Sequence, residues 1–343
     1  MKHLVLAYAM NESLPLFTPE AVKKLTHINL AFGLIRDGLL DLGMLTRLDL
    51  LPKFRQWNPE LRIVLSVGGW GAGGFSAMAM TAAGREAFAR SCAQVAEKYG
   101  LDGIDIVWEY PCNDQAEIDA DPADRVNFTL LLAELKRQLP GRSLSIAAGA
   151  GEYFIRDTEM DKVAEIVDYV QLMTYDLRSG FSHEAGHHAA LFASAGDRSG
   201  LNTRDMVELF HKAGVPLEKL VVGAAFYSRH WTGVKNENHG LLQEAESIGM
   251  SGPKYSELTP ELIEKGGFTQ YWDEDAQAAY LWNGSEFISF ESPRAVERKA
   301  VFVKEAGLLG IMYWEHGCDA TGELLDAIHR GIAKKTGSQF AVN

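Results

Sequence analysis

Short apolar runs, rich in β-branched residues, recur along the whole chain. Eight of them are spaced through the sequence: HLVLAY at 3, HINLAF at 27, RIVLSV at 62, GIDIVW at 103, SLSIAA at 143, YVQLMTY at 169, LVVGAAF at 220 and LGIMYW at 309. Runs of this length and content are typical of strands that are buried on both faces. The pattern therefore predicts eight buried strands.

Helical patterns lie between most of these runs. The segment GREAFARSCAQVAEKYG at 84 has apolar residues at helical spacing and ends at Gly100. The segment SPRAVERKAVFVKEAG at 292 offers Ser292 as a cap, Pro293 at the first helical position and Gly307 as a stop. Alternating strands and helices in eight units favour an α/β fold, a (β/α)₈ TIM barrel, over a doubly wound open sheet.

The connection between the seventh and eighth strands is too long for one crossover, at about 80 residues. It contains YWDEDAQAAYLWNGSEF at 271, in which Asn283-Gly284 is a hairpin turn signal. We predict a barrel from residues 1–231 and 291–335, a small α+β insertion between strands 7 and 8 at 232–290, and a C-terminal tail at 336–343. Loops after the strand C-termini form the active site of such a barrel.

Composition and charge restrict the class of protein. The chain has 343 residues, 47% hydrophobic and 23% charged, which excludes disordered and fibrous classes. Its formal net charge of −13 argues against nucleic acid or an anionic membrane surface as a partner. No stretch reaches the roughly 18 apolar residues that a membrane helix needs. We expect a monomer that binds neither nucleic acid nor membrane.

The cysteines and the N-terminus bear on the compartment. Cys92, Cys112 and Cys318 are too few and too scattered for a disulfide framework or a zinc knuckle, so we expect reduced thiols. The start, MKHLVLAYAMNES, reads as a first strand, because Asn11 and Glu12 end its apolar run before a signal sequence could form. The chain is expected to be cytoplasmic, or secreted with its signal already removed.

The segment LDGIDIVWEYP at 101 places two acids on one face of a buried strand. Side chains alternate along a strand, so Asp105, Val107 and Glu109 share one face and the two acids flank a valine. A satisfied polar cluster or a salt bridge would be the plain structural explanation. Acids are rarely buried unpaired, so their place near the C-terminal end of a barrel strand favours catalysis.

At these residues the chain resembles glycoside hydrolase family 18, the chitinases and their relatives. LDGIDIVWEYP is similar to the family signature DGxDxDWEYP, and HINLAF, SVGGW at 66–70, QLMTYD at 171–176, GAAFYSRHW and GIMYWE resemble other family blocks in the family's order. The insertion, with AAYLW, looks like the one that deepens the substrate cleft in many chitinases. The resemblance implies chitin, or N-acetylglucosamine oligosaccharides, as the binding partner.

The resemblance also implies a retaining, substrate-assisted hydrolysis of β-1,4-linked N-acetylglucosamine. Glu109 would protonate the glycosidic oxygen, while the 2-acetamido carbonyl of the sugar attacks C1 and forms an oxazolinium ion. Tyr175 would donate a hydrogen bond to the acetamido carbonyl, and Asp105, Asp176 and the residue at 107 would complete the catalytic group. Neither a cofactor nor a metal is implied.

Sugar rings have apolar faces edged by hydroxyls, so a saccharide site combines aromatic platforms with polar groups. Arg229 could bind sugar hydroxyls or form a salt bridge at the rim, and any single aromatic could instead fill the core. By resemblance Trp314 would form the floor under the reacting sugar; Trp272 and Trp282 are further candidates for a cleft wall. The predicted substrate-binding residues are Tyr8, Phe32, Trp70, Tyr110, Gln171, Met173, Tyr227, Arg229 and Trp314.

Val107 departs from the family pattern, which has aspartate at this position. In the family that residue bridges Asp105 and Glu109, raises the pKa of the acid and then turns toward the acetamido nitrogen. Valine does neither, and losing such a partner costs on the order of 10²- to 10³-fold in rate. It should also leave Glu109 more acidic. We predict an impaired chitinase; the alternative is a chitin-oligosaccharide binding protein without useful turnover.

Two other motifs point to different chemistry. HEAGH at 183–187 fits the HExxH pattern of zinc enzymes, which needs both histidines on one helix face. Gly180, Ser182 and Gly186 instead predict a loop beside the cleft. GGWGAGGF at 68 is glycine-rich but lacks phosphate-loop spacing, so its glycines are expected to allow a tight turn and close substrate approach. A zinc enzyme is kept as a third hypothesis for the histidines alone.

Overall fold

The computed structural model describes residues 3–334 of the chain. The predicted tail at 336–343 lies outside the described residues. Within residues 3–334 the strands are β1 (Leu4–Met10), β2 (His27–Arg36), β3 (Leu39–Asp41), β4 (Arg62–Gly68), β5 (Gly103–Val107), β6 (Ser143–Gly149), β7 (Tyr169–Met173), β8 (Leu220–Ala225), β9 (Tyr227–Trp231), β10 (Met250–Lys254), β11 (Thr269–Asp273), β12 (Ala278–Trp282), β13 (Phe287–Phe290) and β14 (Gly310–Trp314).

Eight parallel strands close into a barrel, in the order β1, β2, β4, β5, β6, β7, β8, β14. Closure is made by β1, which pairs with β2 on one side and with β14 on the other. These are the eight predicted runs, so the predicted (β/α)₈ barrel is confirmed. The short strand β3, which pairs with the end of β2, was not predicted.

Helices follow the barrel strands and cover their outer faces, except for the ninth, which lies between β10 and β11. They are α1 (Pro19–Lys24), α2 (Leu51–Trp57), α3 (Phe75–Ala79), α4 (Ala82–Tyr99), α5 (Asp124–Gln138), α6 (Glu152–Arg156), α7 (Met160–Ile166), α8 (Thr203–Lys212), α9 (Pro260–Lys265), α10 (Pro293–Glu305) and α11 (Glu323–Ala333). None of the helices within residues 3–334 has both the length and the apolar content to span a membrane.

Helix boundaries have local causes, of which the sequence predicts Gly100, Ser292 and Pro293, whereas α4 begins at Ala82, before the predicted segment at 84. The Thr81 side chain accepts a hydrogen bond from the Gly84 N–H at the start of α4, and Gly100 ends that helix in the left-handed conformation. The Ser292 side chain accepts from the Ala295 N–H in the same way and Pro293 is the first residue of α10, as predicted.

A second, antiparallel sheet stands beside the barrel. Its strands lie in the order β10, β9, β13, β12, β11. The β12–β13 hairpin turns at Asn283-Gly284, as predicted: the Asn283 side chain accepts from the Ser285 and Glu286 N–H groups, and Gly284 has a φ of 99°. The sheet begins at Tyr227 rather than at the predicted 232, because only Phe226 separates β8 from β9.

Apolar side chains fill both sides of the barrel wall. A continuous core packs the outer faces of the strands against the helices. A smaller cluster inside the barrel contains Leu6, Tyr8, Ala31, Tyr169, Val221 and Met312. The strands are therefore buried on both faces, and the open space lies at their C-terminal ends.

Candidate active site

A cavity of about 1470 Å³ opens at the C-terminal end of the barrel. Residues at or just after the C-terminal ends of barrel strands line it, including Tyr8 of β1, Val107 of β5 and Trp314 of β14. Glu109, two residues beyond the end of β5, points into the same space. The cavity is where a (β/α)₈ barrel places its chemistry.

Asp105 lies below this cavity and is fully buried. Its Oδ2 accepts hydrogen bonds from the Tyr8 and Ser66 hydroxyls, both at 2.8 Å. Its Oδ1 accepts from the Ser145 hydroxyl at 2.8 Å and from Gln171 Nε2 at 2.9 Å. Burial raises the pKa of Asp105, and the four hydrogen bonds oppose that shift. Each oxygen of this carboxylate thus accepts two hydrogen bonds, all from uncharged donors.

Glu109 is the acid that faces the cavity. Burial, the largest cause, and the negative charge of Asp176 together raise its pKa to about 7, although a hydrogen bond with Tyr110 opposes the shift. Burial thus keeps the pKa of Glu109 above its usual range although position 107 carries no carboxylate. Val107 itself is only 2% exposed and lies between the two acids.

Tyr175 and Asp176 follow β7 and line the cavity. Burial raises the pKa of Tyr175, and the charges of Glu109, Asp176 and Asp105 raise it further, so its hydroxyl stays protonated as a donor. Tyr175 packs against Tyr227, the ring centroids being 6.1 Å apart.

Arg229 holds the carboxylate of Asp176 with two hydrogen bonds. Its Nε and Nη2 each donate to one oxygen at 2.6 Å, while the Nδ1 of buried His188 lies 3.5 Å from Oδ1. Burial would raise the pKa of Asp176, but His188 and Arg229 together hold it well below its usual range. Asp176 is therefore a fixed anion. Of the two alternatives for Arg229, the structure shows the salt bridge, which Arg229 forms with Asp176.

Aromatic side chains surround the space in two groups. Trp314 stacks on Phe32 at 5.4 Å between ring centroids and contacts Tyr8 at 5.7 Å. In the second group Trp70, which is 54% exposed, contacts both Tyr110 and the exposed Phe181 at 6.3 Å between ring centroids. These rings give the cavity apolar walls beside its polar groups.

Two glycines let the loop after β4 approach the catalytic strand. Gly68 has a φ of 118°, and a Cβ there would lie 2.1 Å from the Val107 carbonyl oxygen. Gly69 has a φ of 97°, and its Cβ would press on the Phe32 ring at 2.8 Å. Glycine at both positions therefore allows the tight turn that the sequence predicts.

Comparison with known proteins agrees with this geometry. A model of the family described as glycosyl hydrolases family 18 matches residues 6–319. The chain belongs to glycosyl hydrolase family 18. It is 35% identical over 290 residues to Chitinase A1 of Niallia circulans, covering 77% of this chain and 42% of that protein. It is 31% identical over 295 residues to Endochitinase 1 of Metarhizium robertsii, covering 82% of this chain and 66% of that protein.

One solved structure from the family matches over its whole length. It is described as a novel glycoside hydrolase family 18 N-acetylglucosaminidase from Paenibacillus barengoltzii. The two chains are 48% identical with a TM-score of 0.94, and the match covers 96% of this chain and 100% of that one. By contrast, the chain spans less than half of Chitinase A1.

The structure brings most of the predicted site residues of this family member to one cavity. Gln171 lies beneath it, fully buried, where it donates to Asp105. Trp272 packs under the Arg294 guanidinium and Trp282 is buried in the second sheet, so neither lines the cavity. Lining residues that were predicted are Tyr8, Phe32, Trp70, Val107, Glu109, Tyr110, Met173, Tyr175, Asp176, Tyr227, Arg229 and Trp314.

Sequence reasoning missed several residues of the site. Phe181 lines the cavity from the same loop as HEAGH, two residues before that motif. Its position five residues after Asp176 was the one sequence feature that placed it near the site. His188 contacts Asp176 from the next segment, but nothing in the sequence distinguishes it from His187. Ser66 and Ser145 lie at the same register as Asp105 on the strands that flank it, which becomes visible only with the sheet order.

The HEAGH segment forms a loop rather than a helix. His187 Nε2 lies 3.2 Å from Asp273 Oδ2, whereas His183 Nδ1 lies 3.3 Å from the Ala245 carbonyl. The two histidines thus have different partners. Among residues 3–334 no group of three or more His, Cys, Asp or Glu side chains could hold a metal ion.

Proposed function

We propose that this protein hydrolyses β-1,4-linked oligomers of N-acetylglucosamine by a retaining, substrate-assisted mechanism. The observation that carries the proposal is Glu109, a cavity-facing acid whose pKa burial raises to about 7. Such a group is protonated in much of the population near neutral pH and can give its proton to a glycosidic oxygen. We assign Glu109 as the proton donor.

The neighbouring carboxylates are poor nucleophiles, which supports a reaction in which the substrate supplies its own. Asp105 accepts four hydrogen bonds, and Asp176 is paired with Arg229 through both oxygens. Attack by either on C1 would break these contacts. The 2-acetamido carbonyl of the sugar needs no such change, and the Tyr175 hydroxyl would hold it in position.

Asp176 also has a role in this reaction, as a negative charge beside the intermediate. The oxazolinium ion carries a positive charge that a carboxylate at position 107 would otherwise face. Asp176 is a fixed anion that lines the same cavity. A preorganised negative charge stabilises a developing positive charge without rearrangement. We infer that Asp176 supplies part of the stabilisation that Val107 cannot.

The walls of the cavity suit neutral sugar rings. Trp314, Phe32 and Tyr8 would support the reacting sugar, and Trp70 with Phe181 would support the next one. We retain the barrel and the insertion as separate functional units. Ser251 of the insertion lines the cavity beside Tyr227 and Arg229, which belong to the same sheet, and this supports the insertion's role as a cleft wall.

We infer that the main product is monomeric N-acetylglucosamine. The support is the solved structure that is 48% identical over nearly all of both chains, since it is described as an N-acetylglucosaminidase. A binding protein without useful turnover is the second candidate, and Val107 is the observation that favours it. Retention of Glu109, Tyr175 and Asp176 favours hydrolysis, because a binding protein has no need of an acid with a raised pKa.

The test is a time course with chitotriose to chitohexaose. We expect monomeric N-acetylglucosamine to be released first, and the new reducing end to appear as the β-anomer in proton NMR. Initial release of the α-anomer would contradict the retaining mechanism. Binding of the oligosaccharides with no product after prolonged incubation would select the binding protein.

A metal plays no part in this proposal, because a proton donor and a substrate acetamide suffice. Treatment with EDTA followed by gel filtration should leave the rate of oligosaccharide hydrolysis unchanged within error. A rate that falls on chelation and returns when zinc is added would restore the zinc hypothesis for the HEAGH loop.

A further inference from the structure

A buried ion pair lies behind the wall of the active site. Lys299 of α10 is 1% exposed, and its Nζ lies 2.8 Å from Oε1 of Glu291, which is 3% exposed. Glu291 follows β13, where the chain returns from the second sheet to the barrel. Charged side chains are seldom buried so fully, and burying such a pair rarely adds stability by itself. We therefore looked for a role of this pair other than overall stability.

Both members of the pair bind the backbone of β8. Lys299 Nζ donates to the Gly223 carbonyl at 3.1 Å, and Glu291 Oε2 accepts from the Ala225 N–H at 2.6 Å. The pairing of β7 with β8 ends at the residue pair Leu172 and Val222. Gly223 and Ala225 lie just beyond the point where β7 leaves, so their backbone groups need other partners.

Thr174 also contacts the part of β8 that lies beyond its pairing with β7. Its fully buried hydroxyl donates to the Gly223 carbonyl and accepts from the Gly223 N–H, both at 2.9 Å. Tyr175, the next residue, packs on Gly223 so closely that a Cβ there would lie 2.7 Å from its Cε1. Tyr175 thus rests on a piece of backbone that three buried side chains hold.

We propose that Lys299, Glu291 and Thr174 are positioning residues that fix the Tyr175 hydroxyl for the acetamido group. They act by holding Gly223 and Ala225 where the β7–β8 pairing has ended. The inference rests on the proposed function, since it gives Tyr175 its task. A displacement of about 1 Å at a reacting group can cost about 100-fold in rate.

The main test is the double variant Lys299→Met/Glu291→Gln. It removes both charges together, so no lone buried charge remains, and the melting temperature should stay within a few degrees of that of the parent. We expect kcat on chitotriose to fall by up to about 100-fold, while the Kd for thio-linked chitotriose changes less than threefold. The single variant Lys299→Met should be far less stable, because it leaves Glu291 unpaired.

Two further comparisons separate positioning from stability. Thr174→Val should lower kcat in the same way, and Thr174→Ser, which keeps the hydroxyl, should restore it. Lys219→Met is the matched control, because Lys219 Nζ also donates to backbone carbonyls, those of Ala164 and Val167, but just before β8 begins. Its loss should lower the melting temperature and leave kcat unchanged.

Folded double and Thr174→Val variants with parental kcat would overturn the inference. If the parent itself shows no turnover, the proposed function fails, and crystal structures then test the inference directly. The Tyr175 hydroxyl should then be displaced in the double variant relative to the parent. An unmoved hydroxyl would overturn the positioning role on its own.

Discussion

Val107 lies between Asp105 and Glu109 in the sequence, and Asp105 accepts its hydrogen bonds from four neutral donors. Val107→Asp should raise kcat by about 10²- to 10³-fold, or about 3 to 4 kcal/mol, because it returns a charge that stabilises the oxazolinium ion. The Kd of a non-hydrolysable oligomer should change much less.

The melting temperature should fall in the same variant. A carboxylate placed where the side chain is 2% exposed loses its hydration and meets the charge of Asp105. Kinetics, sugar binding and thermal unfolding of the two forms, measured side by side, check all three statements. An unchanged kcat in a folded, sugar-binding variant would mean that the other catalytic groups are not arranged as described.

The proposed role of Glu109 predicts how the rate depends on pH. Its pKa is raised to about 7, and the protonated form is the one proposed to donate the proton. The kcat/KM on chitotriose should therefore stay high at acidic pH and fall as the pH rises through about 7. In Val107→Asp the new negative charge should move this fall to higher pH. A parent profile that already falls near pH 4.3, the ordinary glutamate value, would contradict the role of burial.

At the scale of elements, Arg229 joins the second sheet to the barrel. It belongs to β9, and its guanidinium holds Asp176 beyond the end of β7. Arg229→Leu should cost about 2 kcal/mol of stability, since it leaves a partly buried carboxylate without its cation. It should also lower kcat more than the affinity for a non-hydrolysable oligomer, because Asp176 loses its fixed position.

Arg204→Leu offers a control for that change. Arg204 also forms an ion pair with an aspartate of the cavity wall, Asp205, but away from Tyr175. Urea unfolding and steady-state kinetics of both variants would separate the effects. Equal kcat values for the two would show that the Arg229–Asp176 pair serves stability alone.

Local signals explain which elements could be predicted. Apolar runs gave all eight barrel strands, and the caps at Thr81 and Ser292 fix helix starts by contacts within a few residues. The start of the second sheet was placed too late, because the chain passes from β8 to β9 through one residue, with no turn signal. A single apolar run can supply strands to two sheets, and periodicity alone does not reveal the change.

At the scale of the whole molecule, the barrel and its catalytic end could be predicted, whereas the long-range contacts could not. Barrel closure follows from eight similar units, and closure brings the strand ends together. The partners of Asp176 lie 12 and 53 residues further along the chain, at His188 and Arg229. Such contacts depend on sheet order and register, which no local pattern contains.

In the proposed reaction Glu109 transfers the proton in a hydrolysis that the substrate assists. The most direct test compares the parent chain with Glu109→Gln, measuring release of N-acetylglucosamine from chitotriose together with the Kd of thio-linked chitotriose. We predict measurable release by the parent, none above background by the variant, and similar Kd values for both. Equal turnover by the two proteins would show that Glu109 is not the proton donor.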